Sequence, residues 1–128
     1  MNRAALSCLA LLSCSCAATS MEIAPEEVFL NDGLVYVYSS YCEACAALEK
    51  DVSNDVRRLN IDVYPVYDYF AYESNTTRAK ELSLGAERIS EVYFVYSPTV
   101  LSIVNGRLSD YAAGYADCLV LLGKGASA

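Results

Sequence analysis

The chain has 128 residues, a formal net charge of −7, and 55% hydrophobic against 20% charged residues. This length allows about one domain beyond a targeting segment, and this composition is typical of globular proteins and excludes a disordered chain. Because an acidic domain repels phosphate backbones, we expect no binding to nucleic acid.

The first twenty residues resemble an export signal. Arg3 supplies a positive charge, residues 4–12 form a short apolar segment, and small residues follow. Cleavage near residues 18–20 would release a soluble protein. Alternatively, residues 11–14 (Leu-Leu-Ser-Cys) resemble a bacterial lipobox, in which Cys14 is lipidated and anchors the protein to the membrane. An ordinary N-terminal helix of the domain is the third interpretation.

We therefore expect three parts in the chain: a signal peptide or lipoprotein signal at residues 1–20, a domain at residues 22–122, and a short C-terminal tail at residues 123–128. No apolar run is long enough for a transmembrane span in the mature protein. The protein would act outside the cytoplasm, either secreted or lipid-anchored at the cell membrane.

The six cysteines divide between the signal and the domain. Cys8, Cys14 and Cys16 belong to the signal, and Cys42, Cys45 and Cys118 belong to the domain. Three domain cysteines cannot all pair with one another, so at least one thiol is left over. We expect Cys118 to be a small buried apolar residue, with a regulatory or intermolecular disulfide as the alternative.

In chain order, the first predicted elements are a helix, a strand and a second helix. Proline and two glutamates at residues 25–27 predict a helix start, and residues 31–33 end that helix. Residues 34–38 are apolar and aromatic, which is typical of a buried central strand. Residues 41–59 are predicted as one helix, because apolar side chains recur there every three or four positions. These side chains are Cys45, Leu48, Val52, Val56 and Leu59.

A strand and a helix are predicted next. Residues 61–69 are predicted as a strand, with Pro65 marking an edge or a bulge. Residues 75–84 are predicted as a helix, since Asn75 can cap its start and Gly85 can end it.

The last predicted elements are an extended segment, a hairpin and a short helix. Residues 92–96 are predicted as strand or extended chain. Asn105 and Gly106 predict a two-residue hairpin turn between strands at residues 98–104 and 107–113. A short final helix is predicted at residues 116–122. The predicted order α-β-α-β-α-β-β-α indicates an α/β fold.

The chemistry-bearing motif is Cys42-Glu43-Ala44-Cys45, which follows a predicted strand and a short loop and opens a helix. The nucleophile in disulfide exchange must be a thiolate, and a helix N-terminus stabilises a thiolate at Cys42. One turn later, Cys45 lies close enough to displace a mixed disulfide. The motif therefore indicates redox chemistry.

Two other interpretations of this motif stay open. A structural zinc or copper site needs more soft ligands, and the chain contains no histidine. A purely structural disulfide is the other alternative, although so short a loop constrains the unfolded chain little. We expect no metal and no organic cofactor.

A second segment of the sequence supports the redox interpretation. Residues 97–101 (Ser-Pro-Thr-Val-Leu), followed by Asn105-Gly106, resemble the part of thioredoxin-family proteins where a cis-proline faces the CxxC motif. With residues 35–38 and 41–45, they make the whole domain resemble a thioredoxin-like protein. The resemblance implies a thioredoxin-like α/β fold, with a central mixed four-stranded sheet flanked by helices.

The same resemblance implies roles for individual residues. Cys42 would be the nucleophile, Cys45 the resolving thiol, and Pro98 a cis-proline that closes the substrate groove. A cis bond there would expose the Ser97 backbone for pairing with an extended substrate. The residues expected to contact substrate are Tyr41, Glu43, Ala44, Ser97 and Thr99. An ordinary proline at a strand entry is the alternative for Pro98.

The chain departs from the family pattern at two positions. Tyr41 replaces the usual tryptophan before the first cysteine, and Tyr36 stands where the family often has a buried aspartate. The second change removes the obvious proton acceptor for Cys45 and leaves water, Glu43 or Asp68 as substitutes. A solvated carboxylate at a strand end is the simpler interpretation of Asp68.

The predicted function is thiol–disulfide exchange with protein thiols and disulfides, by a monomer that receives electrons from a partner redox protein. Because Glu43 places a negative charge beside Cys42, we expect a reductant or isomerase-like potential rather than that of a strong oxidant. The main alternative is a non-enzymatic accessory protein of thioredoxin fold, for example in bacteriocin export. A metal-carrying lipoprotein is a third candidate.

Overall fold

Six strands and three helices make up the part of the chain that the computed structural model describes, residues 21–127, with side chains to residue 123. The strands are β1 (Gly33–Tyr38), β2 (Arg57–Asn60), β3 (Ala71–Tyr72), β4 (Tyr93–Phe94), β5 (Thr99–Val104) and β6 (Arg107–Ala113). The helices are α1 (Glu43–Leu48), α2 (Thr76–Ser83) and α3 (Tyr115–Ser127). The predicted export signal, including Cys14, lies outside the described residues.

A four-stranded mixed sheet forms the centre of the molecule, in the order β2-β1-β5-β6. Strand β1 runs parallel to β2 and antiparallel to β5, and β6 runs antiparallel to β5. Val35, Tyr36 and Val37 of β1 are fully buried, as expected for a central strand covered on both faces. The predicted central mixed sheet is confirmed, and its arrangement is consistent with a thioredoxin-like one.

Helices cover both faces of this sheet. On one face, α1 and α3 pack against β1, β5 and β6 through the side chains of Tyr36, Cys45, Leu48, Val100, Ala112, Cys118 and Leu121. On the other face, α2 contributes Ala79 to a cluster with Val35, Val37, Leu101 and Ile103. Within residues 21–127, every helix is too short or too polar to cross a lipid bilayer.

The prediction of a single helix over residues 41–59 is wrong. Only α1 is α-helical; a 3-10 turn follows at Glu49–Asp51, and the chain is extended at Val52. A turn closed by the Val56 N–H and the Ser53 carbonyl then leads into β2. Val56 still packs on the α1 face, whereas Leu59 lies in the opposite cluster, because strand side chains alternate between the faces of a sheet.

The strand predicted at residues 61–69 is also wrong. The strand ends at Asn60, whose side-chain oxygen accepts the Asp62 N–H at 2.7 Å and turns the chain. Pro65 precedes a 3-10 turn at Val66–Asp68, so Asp68 lies on this turn and not at a strand end. Residues 61–69 contain several side chains that favour strands, but Asp62, Pro65 and Asp68 favour turns, and a strand does not form.

The remaining elements are close to those predicted. The hairpin is confirmed, with positive φ at Asn105 (54°) and Gly106 (75°) as a two-residue turn requires. Asn75 caps α2 by accepting the Arg78 N–H at 2.9 Å. The predicted first helix is only a 3-10 turn at Pro25–Glu27. Helix α3 runs to Ser127, beyond the predicted end at residue 122, so residues 123–127 of the expected tail continue the helix.

A buried arginine joins the N-terminal segment to the sheet. Arg57 is 8% exposed, and its guanidinium donates to the carbonyls of Glu27, Val28 and Asn31 at 3.1, 3.0 and 2.6 Å. Burial lowers the pKa of Arg57 from its usual value. The Glu27 carbonyl also accepts the Leu30 N–H at 3.2 Å, so Arg57 caps the end of this turn mainly through the carbonyls of Val28 and Asn31.

Replacing this cap should destabilise the domain. We expect Arg57→Met to lower the free energy of unfolding by about 2–3 kcal/mol, because the carbonyls of Val28 and Asn31 would be left without a donor. Urea unfolding followed by circular dichroism measures this. The control is Arg107→Met, since the Arg107 side chain is 66% exposed and its ion pair with Glu87 should contribute about 1 kcal/mol or less. Equal losses in the two variants would contradict the assignment.

Candidate functional site

A disulfide joins Cys42 and Cys45, with their Cα atoms 5.2 Å apart. Cys42 is the residue before α1, and Cys45 lies in the first turn of that helix. The Cys45 N–H donates to the Cys42 sulfur at 3.1 Å, and the Ala46 N–H donates to the Cys42 carbonyl at 3.1 Å. The start of α1 therefore holds the two sulfurs one turn apart, as disulfide exchange requires.

The two sulfurs differ in exposure. Cys42 is half-buried, whereas Cys45 is 2% exposed and packs with Leu48 in the α1 face of the core. A large substrate arriving from solvent can therefore reach the Cys42 sulfur before that of Cys45. This asymmetry matches a nucleophile at Cys42 and a resolving thiol at Cys45.

The pairing of β1 with β5 places Ser97 and Pro98 at the same sheet edge as the disulfide. Val37 of β1 pairs with Thr99 of β5. The end of β1, from which the chain continues to Cys42, therefore lies beside the start of β5, which follows Pro98. The Ser97–Pro98 peptide bond is cis. The Pro98 carbonyl accepts the Gly114 N–H at 2.9 Å, which joins this turn to the start of α3.

The expected substrate-contacting residues differ in how they face solvent. Tyr41 is 91% exposed, Glu43 is exposed, and Ala44 and Ser97 are half-buried. Within the described chain, the Ser97 backbone makes no hydrogen bond, so its N–H and carbonyl are available. Thr99 is fully buried and its hydroxyl donates to the Tyr96 carbonyl at 2.8 Å, which turns that side chain away from solvent.

Tyr36 lies beneath the helix that carries the resolving cysteine. Its buried hydroxyl donates to the Cys45 carbonyl at 2.9 Å. This carbonyl needs a partner because the helix tightens after Leu48, where the Glu49 N–H bonds to the Ala46 carbonyl. Burial, with a smaller contribution from Glu49, raises the pKa of Tyr36 well above its usual value. The phenol therefore stays neutral and cannot accept a proton from Cys45.

A polar network surrounds Tyr36. Its ring stacks on Tyr38 with centroids 5.3 Å apart, and the Arg58 guanidinium lies 5.7 Å from the Tyr36 ring centroid. Arg58 also makes two hydrogen bonds to Glu49, at 2.8 and 2.9 Å. Burial and the hydrogen bond to Glu22 raise the pKa of Tyr38 to about 12. These contacts fix the Tyr36 ring beneath α1.

Asp62, which no sequence motif singles out, lies beside the loop that leads to Cys42. Its carboxylate accepts the Ser39 hydroxyl and the Ser40 N–H, both at 2.8 Å, in the loop that leads to Cys42. The Ser40 bond is the main reason that the pKa of Asp62 is lower than usual. Nothing in the sequence pattern joins Asp62 to residues more than twenty positions earlier, and the region was predicted as a strand.

Glu43 is the charged residue next to Cys42 in the chain. Among the side chains described, the cations are bound elsewhere: Arg57 to carbonyls, and Lys50, Arg58, Arg78, Lys80, Arg88 and Arg107 to carboxylates. Glu43 directly follows Cys42 and is exposed. Asp68 is exposed beside Val66 and Phe70, which pack on the face opposite Cys45, so Asp68 is not placed as its proton acceptor.

Cys118 is fully buried on α3, as predicted. Its thiol donates to the Pro98 carbonyl at 3.4 Å and to the Ala112 carbonyl at 3.5 Å. Burial raises the pKa of Cys118 to about 12, so it is protonated at neutral pH and unreactive as a nucleophile. Within residues 21–127, no group of three or more potential ligand side chains is placed to hold a metal ion.

Two clefts of the surface lie away from the disulfide. One, of about 440 Å³, is lined by the start of α2 and by β6, and the other, of about 720 Å³, lies around Asp32 and Val104. Neither is lined by Cys42 or Cys45. The half-buried Cys42 therefore lies outside both of these clefts.

Comparison with known proteins assigns the chain to no family. No protein-family model matches it, and a search of curated proteins finds no matching sequence.

The Tyr36 hydroxyl should contribute measurably to stability. We expect Tyr36→Phe to lower the free energy of unfolding of the oxidised protein by about 1 kcal/mol, since the Cys45 carbonyl would lose its buried partner. Urea unfolding measures the change. The matched control is Tyr67→Phe, because Tyr67 is 80% exposed and its hydroxyl can bond to water. A Tyr36→Phe variant as stable as this control would disprove the contribution.

Proposed function

We propose that the protein is a thiol–disulfide oxidoreductase of thioredoxin-like fold that acts on protein thiols and disulfides. The observation that carries this proposal is the pair formed by a reachable Cys42 sulfur and a buried Cys45 sulfur at the start of α1. The cis Ser97–Pro98 turn at the same sheet edge supports it. The sheet order and the helices on both faces support the fold assignment.

In the reductive direction, both cysteines begin as thiols. The Cys42 thiolate attacks a substrate disulfide, which forms a mixed disulfide and releases one substrate thiolate. The Cys45 thiolate then attacks the Cys42 sulfur, which releases the second substrate thiolate and closes the Cys42–Cys45 disulfide. Two electrons pass from the cysteine pair to the substrate, and solvent supplies the protons to both released sulfurs.

We expect the Cys45 thiol to lose its proton to solvent or to an exposed group. The buried Tyr36 hydroxyl contacts the Cys45 backbone, but its neutral phenol already donates to the carbonyl there. Glu43 is the remaining carboxylate beside the pair, and its exposure lets it exchange protons with water. Water and Glu43 are therefore the acceptors that fit this site.

The charges favour a reductant or isomerase-like potential. Across the described part of the chain, each cation is bound to a partner away from Cys42, and Glu43 lies next to it. A nearby carboxylate disfavours a thiolate, and a less stabilised thiolate makes the disulfide a weaker oxidant. The Cys45 N–H is the contact that stabilises the Cys42 sulfur.

Export of the protein belongs to the same proposal. The N-terminal sequence supports it, with Arg3, an apolar segment and small residues before residue 21. Outside the cytoplasm, a reductant needs electrons from a partner redox protein that reduces the Cys42–Cys45 disulfide. Lipidation at Cys14 would keep the domain at the membrane, where such a partner can reside.

Insulin reduction tests the activity. We expect the domain to accelerate the reduction of insulin by dithiothreitol, and Cys42→Ser to abolish the acceleration, because no other reachable thiolate is present in the described domain. Cys45→Ser should accumulate a mixed disulfide that mass spectrometry detects at Cys42. Equal activity of the wild type and Cys42→Ser would instead indicate a non-enzymatic accessory protein with a stabilising disulfide.

The redox potential tests whether the protein acts as a reductant or as a strong oxidant. We expect the Cys42–Cys45 couple to have a potential of about −180 to −270 mV, the range from disulfide isomerase to thioredoxin. Equilibration with glutathione buffers measures it, and Glu43→Gln should raise it, since removal of the charge stabilises the thiolate. A wild-type potential near about −120 mV would contradict the assignment.

A further inference from the structure

The loop that leads from β1 to Cys42 has few contacts of its own. It consists of Ser39, Ser40 and Tyr41, and the last two are exposed. Its internal backbone bond, from the Cys42 N–H to the Ser39 carbonyl, is 3.4 Å long, at the weak end of the hydrogen-bond range. This loop therefore needs an outside contact to keep Cys42 in one position.

Asp62 supplies that contact. One carboxylate oxygen accepts the Ser39 hydroxyl and the other accepts the Ser40 N–H, both at 2.8 Å. The Ser39 hydroxyl in turn accepts the Tyr41 N–H at 3.2 Å. One carboxylate thus orders all three loop residues, through hydrogen bonds that its charge strengthens.

Asp62 is itself held against β1. The Ile61 N–H donates to the Tyr38 carbonyl at 2.9 Å, and the Asp62 N–H donates to the Asn60 side chain at 2.7 Å. Tyr38 is the last residue of β1, where the cysteine loop begins, and it pairs with Asn60 in the sheet. These bonds fix the position of the Asp62 carboxylate relative to the end of β1 and to the loop that follows it.

From this geometry we infer that Asp62 is a positioning residue for disulfide exchange, which holds the entry loop so that the Cys42 sulfur stays aligned with its partners. This inference rests on the proposed function. Misplacement of a reacting atom by about 1 Å can slow a reaction by about a hundredfold, so a loose loop should affect the rate more than the stability. The exposed Asp62 side chain contributes nothing to the apolar core.

Insulin reduction by variants of the full domain tests the inference. We expect Asp62→Ala to slow the reaction about tenfold with only a small fall in the thermal midpoint, since loop order is lost while the core is intact. Asp62→Asn should recover most of the rate, because its amide can accept the Ser40 N–H and donate to the Ser39 hydroxyl. The matched control is Asp55→Ala, which removes another exposed aspartate that accepts a serine hydroxyl, in a turn apart from the cysteine loop.

A double-mutant cycle adds an independent measurement. If Asp62 acts through the Ser39 hydroxyl, Ser39→Ala should slow the reaction several-fold, and the double variant should be no slower than Asp62→Ala. If Asp62→Ala fails to fold, the rates of Ser39→Ala and Asp62→Asn still test the inference, and a Ser39→Ala rate equal to that of the wild type would then overturn it.

The outcomes separate this inference from the proposed function. An Asp62→Ala rate within about twofold of the wild type, with activity still dependent on Cys42, would overturn the positioning role alone. A fall equal to that of Asp55→Ala would do the same. Loss of the difference between the wild type and Cys42→Ser would overturn the proposed function itself.

Discussion

The antiparallel pairing of β1 with β5 is the constraint on which the site depends. In this register Val37 lies opposite Thr99, so the end of β1 and the start of β5 occupy one edge of the sheet. The chain can then bring Cys42 and the Ser97–Pro98 turn to the same edge, although more than fifty residues separate them. A shift of β1 by one residue would exchange Tyr36 and Val37 between the two core clusters, which packing of these different side chains disfavours.

Two polar contacts hold the cysteine pair from opposite sides. Asp62 orders the loop before Cys42, and the Tyr36 hydroxyl bonds to the carbonyl of Cys45 within α1. Neither contact touches a sulfur atom, yet together they limit the movement of the backbone on both sides of the disulfide. Such a short helix has little stability of its own, so these contacts and the packing of Leu48 determine its position.

Tyr36 contributes both to the packing of the core and to the polar contacts of helix α1. A tyrosine fits the apolar face beneath α1, where it stacks on Tyr38 and lies below Arg58, and its phenol satisfies a carbonyl that the tightened helix leaves free. A buried carboxylate at the same position would instead need a proton or a cation as partner. The arrangement therefore stabilises the helix without a buried charge.

The sequence by itself determined the elements whose signals are local. The CxxC motif, the apolar β1, the Asn75 cap and the Asn105-Gly106 turn depend on neighbouring residues, and the structure contains each of them. The path of residues 49–69 was decided only by tertiary structure, since Val52, Val56 and Leu59 match a helical period yet pack on two different faces of the sheet. The position of Asp62 was decided in the same way, because a hydrogen bond between residues more than twenty positions apart leaves no periodic signal.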